Sequence, residues 1–387
     1  MNTSANMNTS AKMNASANKT VLISGASFAG LSAAYWMNRL GYKVTIVEIA
    51  NGLRIGGTPV NIEGKTVNTI KRMGIFEQVR SNRIAMELME FKNADDFTEG
   101  SMKLRSANDE LTDDGFEIER NTLLNLLYDL IKDDTKLLFN NSITFLEETN
   151  DHMEVTFKDG QLQKYDLVLG CDGIHSSVRK IWFGHEDEYS HFLGQYFSIT
   201  IVNKLLIREN TTQFFNVPDK AIMLNAYNDK TDIILCFRAS KEIQYNYRDE
   251  DQQRKIILDQ FKGESWRATE LLDEMMESKS FYFDKLCQIK MPFWTKGRVA
   301  LVGDAGYCAS PAAGMGGSLA IDGAAALADA FSKFDGNFEA AFQDYNETFR
   351  PFIEEVQERV LTKGLETLLP RTDEAISKRN KGGFEWE

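Results

Sequence analysis

TVLISGASFAGLSAAYWMNRLGYKVTIVE, Thr20 to Glu48, decides the fold. Val21-Leu22-Ile23 is a short apolar run closed by Gly25, Ala29 to Leu40 carries apolar residues at helical spacing, and Val44 to Val47 is a second apolar run ending on Glu48. Strand, helix and strand in such close succession make a βαβ unit with two parallel strands. Its turn, GASFAG from Gly25 to Gly30, is a glycine fingerprint with Ser27 at the middle glycine position. The first glycine permits the tight turn, the small middle residue lets a pyrophosphate approach the backbone, and Gly30 lets helix and strand pack closely. The helix opening at Phe28 and Ala29 then offers unpaired N–H groups and the positive end of its dipole to phosphate. Glu48 stands where a carboxylate accepts the ribose hydroxyls of an adenosine. A tight turn that binds nothing is the plainer alternative, which the strand, helix and acid together disfavour.

Far along the chain, RVALVGDAGYCASPAAGMGGSLAIDGAAALADAF, Arg298 to Phe331, returns to the same texture. An apolar strand delivers Gly303 and Asp304 at its C-terminal end, small residues surround Pro311, and Gly314, Gly316 and Gly317 open an Ala-rich helix. Open α/β sheets bind ligands at the carboxyl ends of their strands, where Asp304 falls. Bare backbone at the glycine cluster admits a flat ring, and the positive helix end stabilises negative charge on it by ~0.3–1 kcal/mol. Glycines placed for close packing alone are the bland alternative. Their crowding directly after a proline loop speaks against it.

Between these stretches lie LRIGGTPVNI (Leu53 to Ile62), a helical pattern from Thr66 to Val79, and another from Asn121 to Lys132 headed by Glu119-Arg120. Met153 to Phe157 alternates as a strand, Asp159-Gly160 is a turn, and Tyr165 to Gly170 is an apolar run closing a hairpin before CDGIHSSVR, Cys171 to Arg179. From about His185 to Leu286 the texture becomes strands, Gln195 to Val202, Thr212 to Val217, Ala221 to Ala226 and Asp232 to Ala239, which read as an antiparallel sheet in a second domain. Helical patterns at Glu250 to Phe261 and Arg267 to Met276 pack on it. The expected organisation is a disordered tail at 1–19, a nucleotide-binding domain from 20–90, 108–184 and 285–335, a second domain from 91–107 and 185–284, and a C-terminal helical segment at 336–387. Its helix, Glu339 to Leu369, either bridges the domains or faces solvent or a partner subunit.

Composition bounds the function. With 387 residues and 43% hydrophobic content the chain buries a core without metals or disulfides. Its net charge of −13, from 44 basic and 57 acidic residues, disfavours nucleic-acid binding. Cys171, Cys236, Cys287 and Cys308 are widely spread without a CxxC pair, so no zinc site or disulfide framework is indicated, and they read as reduced thiols of a cytoplasmic protein. Four histidines, none at metal or triad spacing, and no GxSxG elbow make hydrolysis and metal catalysis poor fits. MNTSAN, MNTSAK and MNASAN at the start are near-copies without the apolar region of a signal peptide, and read as a disordered tail or a start-site artefact. No segment approaches 18 consecutive apolar residues, so no membrane helix is expected.

Three motifs in this order, GASFAG, CDGIHSSVR and GDAGYCASPAAGMGG, resemble those of the class A, single-component flavin-dependent monooxygenases. That family includes p-hydroxybenzoate hydroxylase, the ubiquinone-biosynthesis hydroxylases and the tetracycline-inactivating monooxygenases. LRIGGTPVNI is similar to the corresponding segment of the polyketide and tetracycline branch, and the resemblance runs from Thr20 to about Phe349. It implies an α/β fold: a Rossmann-like FAD-binding domain of the glutathione reductase 2 and p-hydroxybenzoate hydroxylase type, interleaved with an antiparallel β-sheet substrate domain, plus a C-terminal bridging helix. It implies FAD held by Gly25, Ser27, Phe28, Ala29, Gly30 and Glu48 at the ADP moiety. Arg120, Gly303 and Asp304 resemble further cofactor contacts, and Pro311, Gly314, Gly316 and Gly317 match the loop beside the ring. Asp172 and Arg179 match the motif that serves FAD and NAD(P)H together, and Arg54 and Thr58 lie in a segment that in relatives holds the flavin or the nicotinamide nucleotide. The chain departs from the pattern at Ala305-Gly306-Tyr307, where the family commonly has Ala-His, and at the helix start, where its usual Asn is absent.

The resemblance implies that NADPH or NADH reduces FAD, dioxygen adds to give a flavin hydroperoxide, and one oxygen passes to an aromatic, phenolic or polyketide-like small molecule, a tetracycline-type antibiotic among them. No side chain need act as catalyst, because the cofactor carries the chemistry. The chain has no second nucleotide fold, which agrees with NAD(P)H docking transiently on the FAD domain. The antiparallel sheet is the expected roof of the site, with Phe197, Phe215, Met223 and Phe237, beside Phe214 and Tyr227, as lining candidates; strand alternation sends about half of such residues into an ordinary core. A monomer or weak dimer is expected. A reductase or oxidase on the same scaffold, and a non-catalytic flavin-binding sensor, remain as competing readings. A halogenase is disfavoured because no W-x-W-x-I-P pattern occurs.

Overall fold

The computed structural model describes residues 18–104 and 115–382. The expected tail is thus outside the described residues from 1 to 17, as are 105–114, which span the expected domain boundary at 107, and 383–387.

A six-stranded sheet carries the nucleotide fold, in the spatial order Thr295–Lys296, Val299–Leu301, Leu167–Gly170, Thr20–Ser24, Lys43–Val47 and Thr135–Leu138. All neighbours are parallel except the outermost strand, Thr295–Lys296, which returns antiparallel. Val21, Leu22, Ile23, Val299, Ala300 and Leu301 have no exposed surface, as parallel strands covered on both faces require. The helices Phe28–Arg39 and Gly316–Lys333 pack against each other over this sheet. The seating of the first of these helices on its own strand and turn depends on Gly30, where a Cβ would stand 1.9 Å from the Gly25 carbonyl oxygen.

Two elements differ from the pattern expected of the sequence. The hairpin partner of Met153–Phe157 is Leu162–Tyr165, and the following Leu167–Gly170 leaves the hairpin for the parallel sheet, because four buried residues in a row need cover on both faces. The helix expected from Thr66 to Val79 is two, Lys65–Met73 and Phe76–Ser81, separated at Gly74, whose φ of 78° is a left-handed stop.

The second layer is a seven-stranded sheet in the order Phe281–Ile289, Ser190–Val202, Lys230–Arg238, Lys220–Tyr227, Thr211–Val217, Leu88–Lys92 and Thr98–Lys103. Its outer strands extend past the boundaries expected at 91 and 284. One face, with Tyr196, Phe215, Leu235 and Phe237, is covered by the helices Glu250–Phe261 and Ala268–Glu277. The opposite face presents Phe197, Ala221, Ile234, Cys236 and Leu286, with Met223, to Ala312 of the glycine loop and to Leu365 and Leu368.

The C-terminal segment is not one helix from Glu339 to Leu369. Phe338–Arg359 packs on Gly316–Lys333, loosens into a π-helical turn at Val360–Gly364, and ends in the short helix Leu365–Leu368. Its parts touch both layers. Gln357 donates its side-chain amide to the Cys308 carbonyl at 3.1 Å, and Arg238 of the seven-stranded sheet donates to the Leu365 and Leu369 carbonyls. A last helix, Asp373–Gly382, covers the sheet edge, with the Asn380 carbonyl so close to Gly100 that a Cβ there would meet it at 1.9 Å. Among the described residues no helix is long and apolar enough to cross a membrane.

Candidate cofactor site

Two helix N-termini converge without caps. Ser27, extended at φ −114°, precedes Phe28–Arg39 but its side chain accepts no cap hydrogen bond, and Met315 before Gly316–Lys333 has none to offer. Neither helix has an acidic residue in its first turn. Three other helices are capped, by Ser176, Asp249 and Asn337, which each accept a backbone N–H, whereas those opening after Gly64, Ile75, Glu119 and Arg267 are not; what sets the first two apart is their convergence on bare glycine backbone. Uncapped N–H groups and a positive dipole suit the diphosphate and the electron-rich ring of a dinucleotide. Close packing brings the two starts together, since a Cβ on Gly317 would lie 2.4 Å from Val60 Cγ1 and 3.4 Å from Phe28 Cδ2. One on Gly303 would lie 3.1 Å from Ala29 Cβ, whereas one on Gly316 would meet nothing within 4 Å. The backbone is thus bare where a ring would lie, flanked by Pro311 on a short 3₁₀ turn and Gly314 at φ 66°.

Charged groups surround these termini. Glu48, at the end of its strand, accepts the Ala26 N–H at 2.8 Å and the Ala50 N–H at 2.9 Å, which fixes its carboxylate beside the fingerprint turn. Arg120 opens the helix Arg120–Asp129, donates to Ser27 Oγ at 3.1 Å, and lies 4.5 Å from the Phe28 ring centroid. Burial and the neighbouring Arg54 lower its pKa while Asp304 raises it. Asp304 begins the short helix after Gly303; burial pushes its carboxyl up, against the Cys308 thiol and the Arg120 charge. Asp304 and Arg120, distant in sequence, are electrostatic partners.

The LRIGGTPVNI segment drapes over Arg120. The Gly56 N–H donates to Asn121 Oδ1 at 3.0 Å, and a Cβ on Gly57 would stand 2.7 Å from Arg120 Cδ. Gly56 and Gly57 both hold φ of 98°, a backbone that other residues would strain. Arg54 is exposed, 5.0 Å from the Tyr282 ring centroid, and Thr58 is half-buried just beyond.

Asp172 and Arg179 are spent on protein partners. Asp172 accepts from Ser24 Oγ at 3.3 Å, from the Ser176 hydroxyl, and from the Ser177 and Val178 N–H groups at 2.9 and 3.1 Å. Arg179 has no exposed surface and donates to the Ala305 carbonyl at 2.8 Å and to the Ile174 carbonyl. It ties the Asp-Gly motif to the residue following Asp304. Glu186 lies 3.5 Å from Arg179 and 3.0 Å from His175 Nδ1, and His175 Nε2 lies 3.4 Å from Asp284. Asp284 in turn accepts the Tyr282 and Tyr245 hydroxyls at 2.8 and 2.9 Å. A polar chain therefore runs from Arg54 and Tyr282 to the backbone under Asp304.

The family described as FAD binding domain matches residues 18–360. The chain belongs to that family. Within it the chain is a class A FAD monooxygenase of the branch that holds the tetracycline destructases. A flavin-dependent monooxygenase of Legionella longbeachae serogroup 1 (strain NSW150) is 33% identical over 341 residues, which cover 87% of this chain and 86% of that one. The crystal structure of tetracycline destructase Tet(51) is 34% identical, with a TM-score of 0.84 over 94% of both chains. The structure of Klebsiella pneumoniae HpxO, complexed with FAD and uric acid, shares the fold at 18% identity, with a TM-score of 0.69 over 93% of this chain and 91% of that one.

In this FAD-binding-domain protein, strand alternation divides the aromatic candidates of the sheet. Phe197 and Met223 are on the face turned to the glycine loop. Phe215 and Phe237 point the other way into the core under the two helices, so they do not line that face; hydrophobicity alone does not distinguish the two sides of a sheet buried on both. Phe214 packs with Phe91, and Tyr227 donates its hydroxyl to Asp232. Asn61, Cys308, Tyr282 and Asp232 are site neighbours that the sequence reading passed over. Asn61 donates to the Gly314 carbonyl at 3.4 Å. Its only signal was its place at the start of a strand that follows Gly56-Gly57 by two residues.

Proposed function

We propose that this protein is an FAD-dependent monooxygenase that uses NADPH or NADH and dioxygen to insert one oxygen atom into an aromatic, phenolic or polyketide-like small molecule, with a tetracycline-type compound as the first substrate to try. The observation that carries the reading is the pair of uncapped helix starts meeting at bare glycine backbone, in a chain whose family binds FAD over residues 18–360. When bound, FAD supplies the redox chemistry, accepting hydride from the nicotinamide nucleotide and activating dioxygen.

The chain's own residues hold and orient. The N–H groups at Ser27 to Gly30, with Arg120, receive the diphosphate; Glu48 receives the adenosine ribose; Asp304 receives a sugar or ribityl hydroxyl; Gly314 to Gly317 carry the ring on the helix dipole. Arg54, exposed above Tyr282, is placed to meet the incoming nicotinamide nucleotide. Asp172 and Arg179 position the loop of Asp304 from behind. Phe197 and Met223 help exclude water on the sheet side, which an oxygen-transferring site requires. The inward Tyr307 leaves no imidazole next to Asp304, so proton movement there falls to the substrate, water or the carboxyls of the sheet.

The test is aerobic incubation of the flavin-loaded protein with NADPH and a tetracycline under labelled dioxygen. A product heavier by one labelled oxygen, with NADPH consumed in proportion, is expected. NADPH oxidation without any such product across a panel of phenols, enols and polyketides overturns the reading in favour of a reductase or oxidase.

A further inference from the structure

A cavity of about 410 Å³, open to solvent, lies between the helix Phe338–Arg359 and the segment Lys290–Trp294. None of the residues that line it belongs to the glycine loop at Pro311 to Gly317 or to the sheet face of Phe197 and Met223. Its volume is within the range of about 300–1,000 Å³ usual for small-molecule sites. Ile289, Met291 and Ile353 form apolar walls, and Trp294 and Tyr307 add aromatic surface. These walls are fixed in place. Arg350 donates to the Met291 and Pro292 carbonyls at 2.9 and 3.0 Å and lies 4.4 Å from the Trp294 ring centroid, while Gln357 donates to the Ile289 and Cys308 carbonyls at 2.9 and 3.1 Å.

Two polar atoms of these walls have no protein partner. Trp294 is 1% and Gln357 5% exposed, yet among the described residues Trp294 Nε1 donates to nothing and Gln357 Oε1 accepts nothing. Neither atom is one of the sealed, unpartnered side-chain atoms of the core, so each reaches the space that both residues line. A hydroxyl is the smallest neutral group that answers both, accepting from the indole N–H and donating to the amide oxygen. A purely apolar compound would strip both atoms of water and return no hydrogen bond. The rim does not select an ion, because Lys290 and Arg350 are balanced by Glu354 and Glu358, and Arg350 is already spent on two carbonyls and on Glu354 at 3.9 Å.

We propose that this cavity is a second ligand site, which takes a small neutral aromatic compound whose hydroxyl group is held between Trp294 Nε1 and Gln357 Oε1. The site is one of binding alone, on the far side of Tyr307 from Asp304, and it does not depend on the oxygen-inserting reaction.

The experiment titrates the flavin-loaded protein with 2-naphthol by equilibrium dialysis at neutral pH, beside 2-methoxynaphthalene, which accepts a hydrogen bond but donates none, and 2-naphthoate, which is an anion. The wild-type protein is expected to bind 2-naphthol roughly tenfold more tightly than either, the worth of one hydrogen bond. Ile353→Trp, which fills the cavity, is expected to lose one site for 2-naphthol, and Met223→Trp, which crowds the sheet face instead, is expected to keep it. Failure of 2-naphthol to bind, equal affinities for the three compounds, or a site count that Ile353→Trp leaves unchanged overturns the proposal. Should Ile353→Trp lose its fold or its flavin, crystals of the wild-type protein soaked with 6-bromo-2-naphthol decide the matter: bromine is expected beside Trp294, and bromine found only against the sheet face overturns the assignment. No turnover enters these measurements, so the labelled-oxygen test of the reaction and this test of the cavity succeed or fail separately.

Discussion

Tyr307 and Gly323 are fitted to one another, for a Cβ built on Gly323 would stand 1.8 Å from the Tyr307 hydroxyl oxygen. Tyr307 occupies the position where relatives commonly carry a histidine after the aspartate. Here its ring turns inward, 4.6 Å from the Trp294 centroid and 5.6 Å from that of Phe349, and its hydroxyl accepts from Tyr345 at 3.0 Å. The departure from the family pattern is therefore a packing solution, in which a larger side chain after Asp304 is matched by a missing one on the helix Gly316–Lys333.

Gly323→Ala is expected to destabilise the fold by about 1–3 kcal/mol through overpacking. Tyr307→Phe in that background removes the obstructing oxygen and is expected to recover part of the loss, a coupling visible in a double-mutant cycle of thermal unfolding. Strict additivity of the two changes would mean that the Gly323 backbone shifts away at little cost.

Arg120→Gln is expected to weaken FAD binding roughly 10- to 100-fold, the worth of one charge-assisted contact to phosphate at a site held by Ser27 and Phe28. Arg54→Gln, at an exposed position, is expected to leave FAD affinity within a few-fold and instead slow reduction by NADPH. Quenching of flavin fluorescence on titration and stopped-flow reduction separate the two roles; equal losses of flavin in both variants would contradict them.

Arg179→Met is expected to cost about 3–5 kcal/mol, because it leaves the buried Ala305 carbonyl and the Ile174 carbonyl without their donor and leaves Glu186 with His175 as its one remaining ion-pair partner among the described residues. Flavin content should fall with it, since Ala305 adjoins Asp304. A variant that keeps both its melting temperature and its flavin would show that the tie to Ala305 is dispensable.

Stability should depend on pH through His175. Burial opposes its charge, but the carboxylates of Asp284 and Glu186 outweigh that and raise its pKa to about 9 from 6.5. The folded state therefore binds this proton more tightly than the unfolded chain. The stabilisation, up to about 3 kcal/mol, is fully present below the unfolded value and is lost as pH rises through the folded one. Urea unfolding of wild-type and His175→Asn at pH 6 and pH 9.5 should show a large difference at the lower pH and a small one at the higher. A difference that does not change with pH would place the worth of His175 in its stacking on Tyr247, whose ring centroid is 4.6 Å away.

The sequence by itself determined the βαβ unit and the chemistry it serves. A glycine that must adopt φ of 102° at Gly25, a helix without an acid in its first turn and a carboxylate closing the second strand are local features, and local spacing is where sequence patterns carry information. The same holds for the glycine cluster that opens the second helix. What only the tertiary structure decided is which side of a doubly covered sheet each aromatic faces, that Leu167–Gly170 joins the parallel layer, and that Arg179 and Asp172 hold the scaffold. Those outcomes depend on partners more than a hundred residues away, such as Ala305 for Arg179, and on solvent exclusion by a second layer. No spacing along one strand specifies either.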